Sequence, residues 1–148
     1  MYPEIFHDTP IISMYPPWAN WVALGWKTIE TRTHNRFKSL AGRYIGIHAP
    51  LKWDNRALEL AAPFLTYEQF GLSKDFLRVG GAIICKAFVR SAGKVGSMNS
   101  LSALIDCQST TRYGLFLEDI EPLKEAIPCK GKQGIWYYRG PESMDRMH

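Results

Sequence analysis

Gly25-Trp26-Lys27-Thr28-Ile29-Glu30-Thr31-Arg32 is the stretch on which the reading of this chain turns. Its glycine suits the end of a helix, because a residue without Cβ enters the left-handed region at no steric cost. Upstream, Trp18, Trp21, Val22 and Leu24 recur at helical spacing after Pro16-Pro17, and the fixed φ of Pro17 suits a first helical turn. Downstream, residues 28–33 are rich in β-branched side chains and read as a strand. Alternation then puts Thr28, Glu30 and Arg32 on one face and Ile29 and Thr31 on the other. Residues two apart on a strand lie about 6.5–7 Å apart, near enough for the side chains of Glu30 and Arg32 to meet.

Working outward, residues 11–14 read as a short strand and residues 34–40 as a basic loop. Residues 42–48 form the next strand, residues 54–64 a helix capped at Asp54 and stopped at Pro63, and residues 66–70 a second short helix. Gly80-Gly81 turns into residues 82–89, the strongest strand signal. Residues 91–109 read as a loop with a short helix at 101–106. Strands at 113–117 and 133–138 close the chain, joined across 122–131. The expected class is α+β: a small mixed or antiparallel barrel of five or six strands with two to three short flanking helices. Alternating βαβ units are absent, which excludes a doubly wound sheet. One domain spans 1–148, its core about 11–138, with a polar tail at 140–148 expected to fray.

At 148 residues and 16.9 kDa, with 46% hydrophobic and 22% charged residues, the composition is that of a globular domain and excludes disorder. Such a chain buries enough surface to fold without a metal or disulfide. No apolar run approaches the ~20 residues that cross a bilayer, and the N-terminal segment lacks a basic-then-apolar signal. A soluble, cytoplasmic protein with no membrane partner is expected. Cys85, Cys107 and Cys129 are odd in number and fit neither a disulfide framework nor metal-ligand spacing. No metal and no cofactor are expected, and there is no phosphate loop, nucleophile elbow or dinucleotide fingerprint. Net charge is +4, and residues 27–43 carry five basic side chains against Glu30 alone. The remaining 131 residues balance at thirteen basic and thirteen acidic, so the whole excess lies in one stretch. A localised basic patch attracts a polyanion; the alternative is a solvated face without a partner.

The motif Gly25-x-Lys27-x-x-Glu30-x-Arg32 resembles the hallmark of the ASCH domain, a branch of the PUA-like superfamily of small β-barrels. Tyr15-Pro16-Pro17-Trp18-Ala19 is similar to that family's proline-aromatic approach to its first helix. Gly42-Arg43-Tyr44-Ile45-Gly46-Ile47-His48-Ala49 resembles its strand ending in Ile-His-Ala, and Gly81-Ala82-Ile83-Ile84 its central strand. Tyr113 to Leu117 and Ile127 to Trp136 resemble the two closing segments, so the match runs from about residue 11 to 138. The resemblance implies a PUA-like barrel with a cleft, associated with RNA binding or work on modified nucleosides. One enzymatic branch of the family hydrolyses the acetyl amide of N4-acetylcytidine with a lysine, a threonine and a glutamate. Its lysine falls on Lys27; its threonine position holds Glu30; its glutamate lies in a helix after the central strand, where only Asp106 stands.

Lys27 and Glu30 are therefore the candidate catalytic pair, with Glu30 able to activate a water while Lys27 or Arg32 holds a developing oxyanion. The candidate ligand contacts are Lys27, Glu30, Arg32, Trp18, Trp26, Arg36, Lys38, His48, Lys130 and Lys132. Arg32 can grip a phosphate through two parallel bonds, and Trp18 and Trp26, beside Tyr15, Phe37 and Tyr44, can stack on a base. Each has a plainer reading: a Lys-Glu-Arg ion network locking strand to helix, core tryptophans, a hydrogen-bonded structural histidine and solvated lysines. RNA or a nucleotide-like ligand is the expected partner. A small amidohydrolase of a modified nucleoside and a protein-interaction module are the alternatives, and the sequence leaves the oligomeric state open.

Overall fold

The computed structural model describes residues 5–76 and 80–141. The expected frayed tail lies, from residue 142 onward, outside the described residues. Among the described residues six strands and four α-helices follow in the order β1 (Pro10–Ser13), α1 (Trp18–Ala23), β2 (Ile29–Arg32), β3 (Tyr44–Ala49), α2 (Ala57–Ala61), α3 (Tyr67–Phe76), β4 (Ala82–Val95), α4 (Ser100–Ala103), β5 (Arg112–Pro128) and β6 (Trp136–Tyr137). Among the described residues no helix is long and apolar enough to cross a membrane.

One mixed sheet takes the order β2-β5-β4-β3-β1-β6. β1 runs parallel to β3, and every other pairing is antiparallel. The α+β class is as expected from the sequence, but the sheet does not close into the expected barrel. β2 pairs only with β5 and β6 only with β1, so both are edges. A side chain crosses between the β2 and β1 ends: Nη2 of Arg32 donates to the carbonyl of Ser13 at 2.9 Å.

Two strands outrun their expected ends. β4 continues to Val95 and β5 to Pro128, as a long bulged hairpin where loops were expected from 91 and across 122–131. Its register shifts between Ile83/Cys85, Lys86/Phe88 and Val89/Ser91. Bulges break the two-residue periodicity by which a strand is read, and they let Pro122, which has no N–H, sit opposite Cys85.

The main core sits between the sheet and α1, where Ile12, Ile45, Ile47, Cys85, Val89 and Leu117 meet Ala19 and Val22. Trp21 is fully buried against Ala57, Ala61 and Leu104, and its Nε1 donates to Oγ of Ser73 at 2.9 Å. Burial of an aromatic ring of this size contributes about 4–6 kcal/mol, so Trp21 belongs to the core. After α1 the chain reverses at Gly25, whose φ is +79°, and the N–H groups of Trp26 and Lys27 both bond the carbonyl of Trp21. That left-handed turn aims Lys27 inward and starts β2.

Candidate functional site

A cleft of about 930 Å³ opens between the β1–α1 turn, β2, residues 34–37, the start of β5 and residues 131–135. It is lined by Lys27, Arg32, Arg36, Arg112 and Lys132 against two carboxylates, Glu30 and Asp54. Its size is within the range of sites that enclose small ligands.

At its floor Lys27 is only 1% exposed. Its Nζ lies 3.6 Å from Oε1 of Glu30 and donates to the carbonyl of Ala103 at 2.5 Å. Burial pulls the lysine below its usual pKa, and the Glu30 carboxylate opposes the shift. The other oxygen of Glu30 pairs with Nη2 of Arg32 at 3.0 Å. The three motif side chains therefore form one ion network, buried at Lys27 and Glu30 and partly exposed at Arg32, with Glu30 between two cations; the Glu30–Arg32 half is what the alternation along β2 implies. Thr31 lines the cleft as well, and its Oγ1 accepts from Nη1 of Arg112 at 3.2 Å. The Nε–H groups of Arg32 and Arg112 are buried and have no hydrogen-bond partner among the described residues. His34, at the rim, is held below its usual pKa by lost hydration and then by the charges of Arg36 and Arg32, which registers the positive field.

The aromatic side chains serve the cations. Nζ of Lys27 sits 5.1 Å over the Trp18 ring, and Cζ of Arg32 lies 5.2 Å over Phe37. Nζ of Lys52 lies 5.8 Å over Tyr15. The Trp18 face expected to receive a base is thus covered by Lys27, while its Nε1 donates to Oδ2 of Asp54 at 2.7 Å.

Of the remaining expected contacts, Arg36 and Lys132 line the cleft, and Trp26, Lys38, His48 and Lys130 do not. Trp26 packs beside Trp21 and Leu104, because the Gly25 reversal turns it away from Lys27. Lys38 and Lys130 are exposed outside the cleft. His48 is 1% exposed behind the wall, its Nε2 2.8 Å from the carbonyl of Cys129 and its Nδ1 3.3 Å from Oγ of Ser13. Asp106 lies exposed and away from the cleft, its carboxylate held low by the Ser109 hydroxyl and the Gln108 N–H. Arg112, Asp54 and His34 were not singled out as contacts. Arg112 opens a strand whose apolar signal begins after it, and Asp54 reads locally as a helix cap. Among the described residues no group of His, Cys, Asp and Glu could hold a metal.

No protein-family model matches the chain, and no curated protein matches it. Solved structures do. An ASCH structure from Zymomonas mobilis superposes with a TM-score of 0.57 at 14% identity, covering 90% of each chain. A serine-to-alanine variant of that protein gives 0.55 at 15% identity over 90% of this chain and 89% of that one. Its tyrosine-to-phenylalanine variant gives 0.52 at 16% identity over 88% and 90%. At such identities the likeness shows the fold, and the fold of this chain is that of the ASCH structures.

Proposed function

We propose that this domain binds RNA, or a nucleotide-like anion, in the cleft above Lys27, Glu30 and Arg32. The observation that carries the reading is the charge of the cleft: five cationic side chains against two carboxylates. The resemblance to ASCH domains points the same way. Arg32, Arg112, Arg36 and Lys132 contact phosphate, and Glu30, fixed between Lys27 and Arg32, holds the two cations in place and presents an acceptor. With this reading go a single domain, a cytoplasmic location and a role in RNA or modified-nucleoside metabolism. The test is binding of a short single-stranded RNA at several salt concentrations. With one phosphate engaged by each of these four side chains, the slope of log K against log salt is about −2.8, so affinity falls about 50-fold between ~50 and ~200 mM. A flat salt response overturns the reading.

The second reading is amide hydrolysis on a modified nucleoside, and the depressed pKa of Lys27 within the cleft favours it. Burial favours the neutral form of Lys27, and that form can take a proton from an attacking water while Arg32 and Arg112 steady the charge that develops. Incubation with N4-acetylcytidine tests it. Release of acetate, lost in a folded Lys27→Met variant, supports hydrolysis; no release leaves a binding domain.

A further inference from the structure

Ser13, at the end of β1, lines the cleft, and His48 lies directly behind it on the paired strand β3. The carbonyl of Cys129 only accepts, so the 2.8 Å contact assigns the proton of His48 to Nε2. Nδ1 then carries the lone pair and faces Oγ of Ser13 at 3.3 Å. Trp136 fixes both partners: its ring meets the imidazole edge-on at 5.4 Å, and its Nε1 donates to Oγ of Ser13 at 3.2 Å. Gly131 closes over them so tightly that a Cβ there would fall 2.4 Å from Nδ1 and 2.6 Å from Oγ. The second acceptor open to the Ser13 hydroxyl is the carbonyl of Lys132, also at 3.3 Å. The Arg32 guanidinium donates to the backbone carbonyl of Ser13, which keeps a cation at this residue.

We propose that Ser13 and His48 form a nucleophile and base in the wall of the cleft, acting on an acyl group carried by an anionic molecule. A hydroxyl, an imidazole with its tautomer fixed and a third group orienting the imidazole are the parts that nucleophilic acyl transfer requires. A carbonyl as third group holds the ring without adding charge, and burial lowers the pKa of His48, which favours the neutral imidazole whose Nδ1 can accept a proton. In the first step Oγ bonds to the acyl carbon and its proton passes to Nδ1. The bond from the acyl carbon to the carrier breaks, and the leaving atom takes the proton from His48. Water then attacks the acyl-serine, again giving a proton to Nδ1, and the carboxylic acid departs as Ser13 recovers its hydrogen. Arg32 faces the oxyanion in both steps, and the cations of the cleft hold the carrier.

The test uses 4-nitrophenyl acetate as a neutral acyl donor and acetyl phosphate as an anionic one, with intact-mass and peptide-mapping readouts. The expected result is a single acetyl group on residue 13 formed from acetyl phosphate, absent in the Ser13→Ala control and accumulating as a thioester in Ser13→Cys. A thermal melt checks that both variants are folded. Equal turnover by Ser13→Ala, or acetylation confined to lysines, overturns the proposal. RNA affinity measured on the same samples separates the two readings. Binding without acylation removes the Ser13–His48 pair alone, and acylation without binding leaves the pair standing.

Discussion

Replacing Glu30 by glutamine removes the one negative charge at the centre of the ion network while keeping its shape. Nζ of Lys27 lies 3.6 Å from the carboxylate, and the two side chains are 2% and 8% exposed. At an effective dielectric of ~20, a pair at that distance is worth about 4–5 kcal/mol of attraction. Arg32 adds less, because its side chain is 29% exposed and screened. The full attraction is not forfeited, since Lys27 can release its proton once the counter-charge is gone. The expected net loss is about 3 kcal/mol, or about 6–12 °C in the thermal midpoint for a chain of this size.

The sign with pH follows from Lys27. Its folded pKa lies below the ordinary value of 10.5, so the folded state binds fewer protons than the unfolded one between the two values. Stability contributed by this group therefore rises as pH climbs toward 10.5, and is lost as pH falls through the folded pKa. Glu30→Gln lowers that pKa further and extends the window toward neutrality. Melts of wild type, Glu30→Gln, Lys27→Met and the double variant, at neutral pH and about pH 9.5, read both effects. The double variant should recover more than half of the loss, because the stranded charge is gone. A Glu30→Gln midpoint within about 1 °C of wild type, or a double variant no better than the single, refutes the reasoning.

Other consequences are equally direct. Burial holds His48 below its usual pKa of 6.5, so stability should decline as pH falls below that value. Urea midpoints should show the decline and lose it in His48→Gln. Gly131→Ala drives a Cβ into the His48 ring and the Ser13 hydroxyl, which should cost about 1–3 kcal/mol in urea unfolding. Arg112→Gln should lower the salt slope of RNA binding by about 0.7 with little change in midpoint; an unchanged slope removes Arg112 from the phosphate path.

What the sequence discloses here depends on how local the determinant is. The α1–Gly25–β2 segment is legible because its helix, its left-handed turn and its alternation are set by neighbours in the chain. Within the Lys27–Glu30–Arg32 network, the meeting of Glu30 and Arg32 follows from that alternation, and Lys27 joins them through the Gly25 turn that precedes β2. The hairpin of β4 and β5 is legible only as far as its third register shift, between Val89 and Ser91. Beyond Val89 the period resets at Arg90, which the register skips, and Ser91 and Gly93 look like loop residues although they pair with β5. Arg112 and Ser13 enter the cleft through sheet pairing and loop closure, relations between residues 35 to 119 positions apart that no local pattern records. The open edge at β2 is equally non-local, since it depends on which strands find partners.

The aromatic residues of the basic patch invite a stacking reading, and the structure turns it into a different one. Trp18, Phe37 and Tyr15 each lie under a cation. A guanidinium or ammonium held over a ring loses little further freedom when an anion arrives, so less of the attraction is consumed in ordering the side chain. The buried Nε–H groups of Arg32 and Arg112 reinforce the point, because each unpaired buried donor carries a cost of about 1–3 kcal/mol that a ligand oxygen able to reach it would relieve. Truncating Phe37 to leucine therefore separates the two readings. Were the ring a platform for a base, the loss would depend on which base is offered. As a support for Arg32 it should weaken every anionic ligand alike, with binding to a homopolymer series measuring the difference.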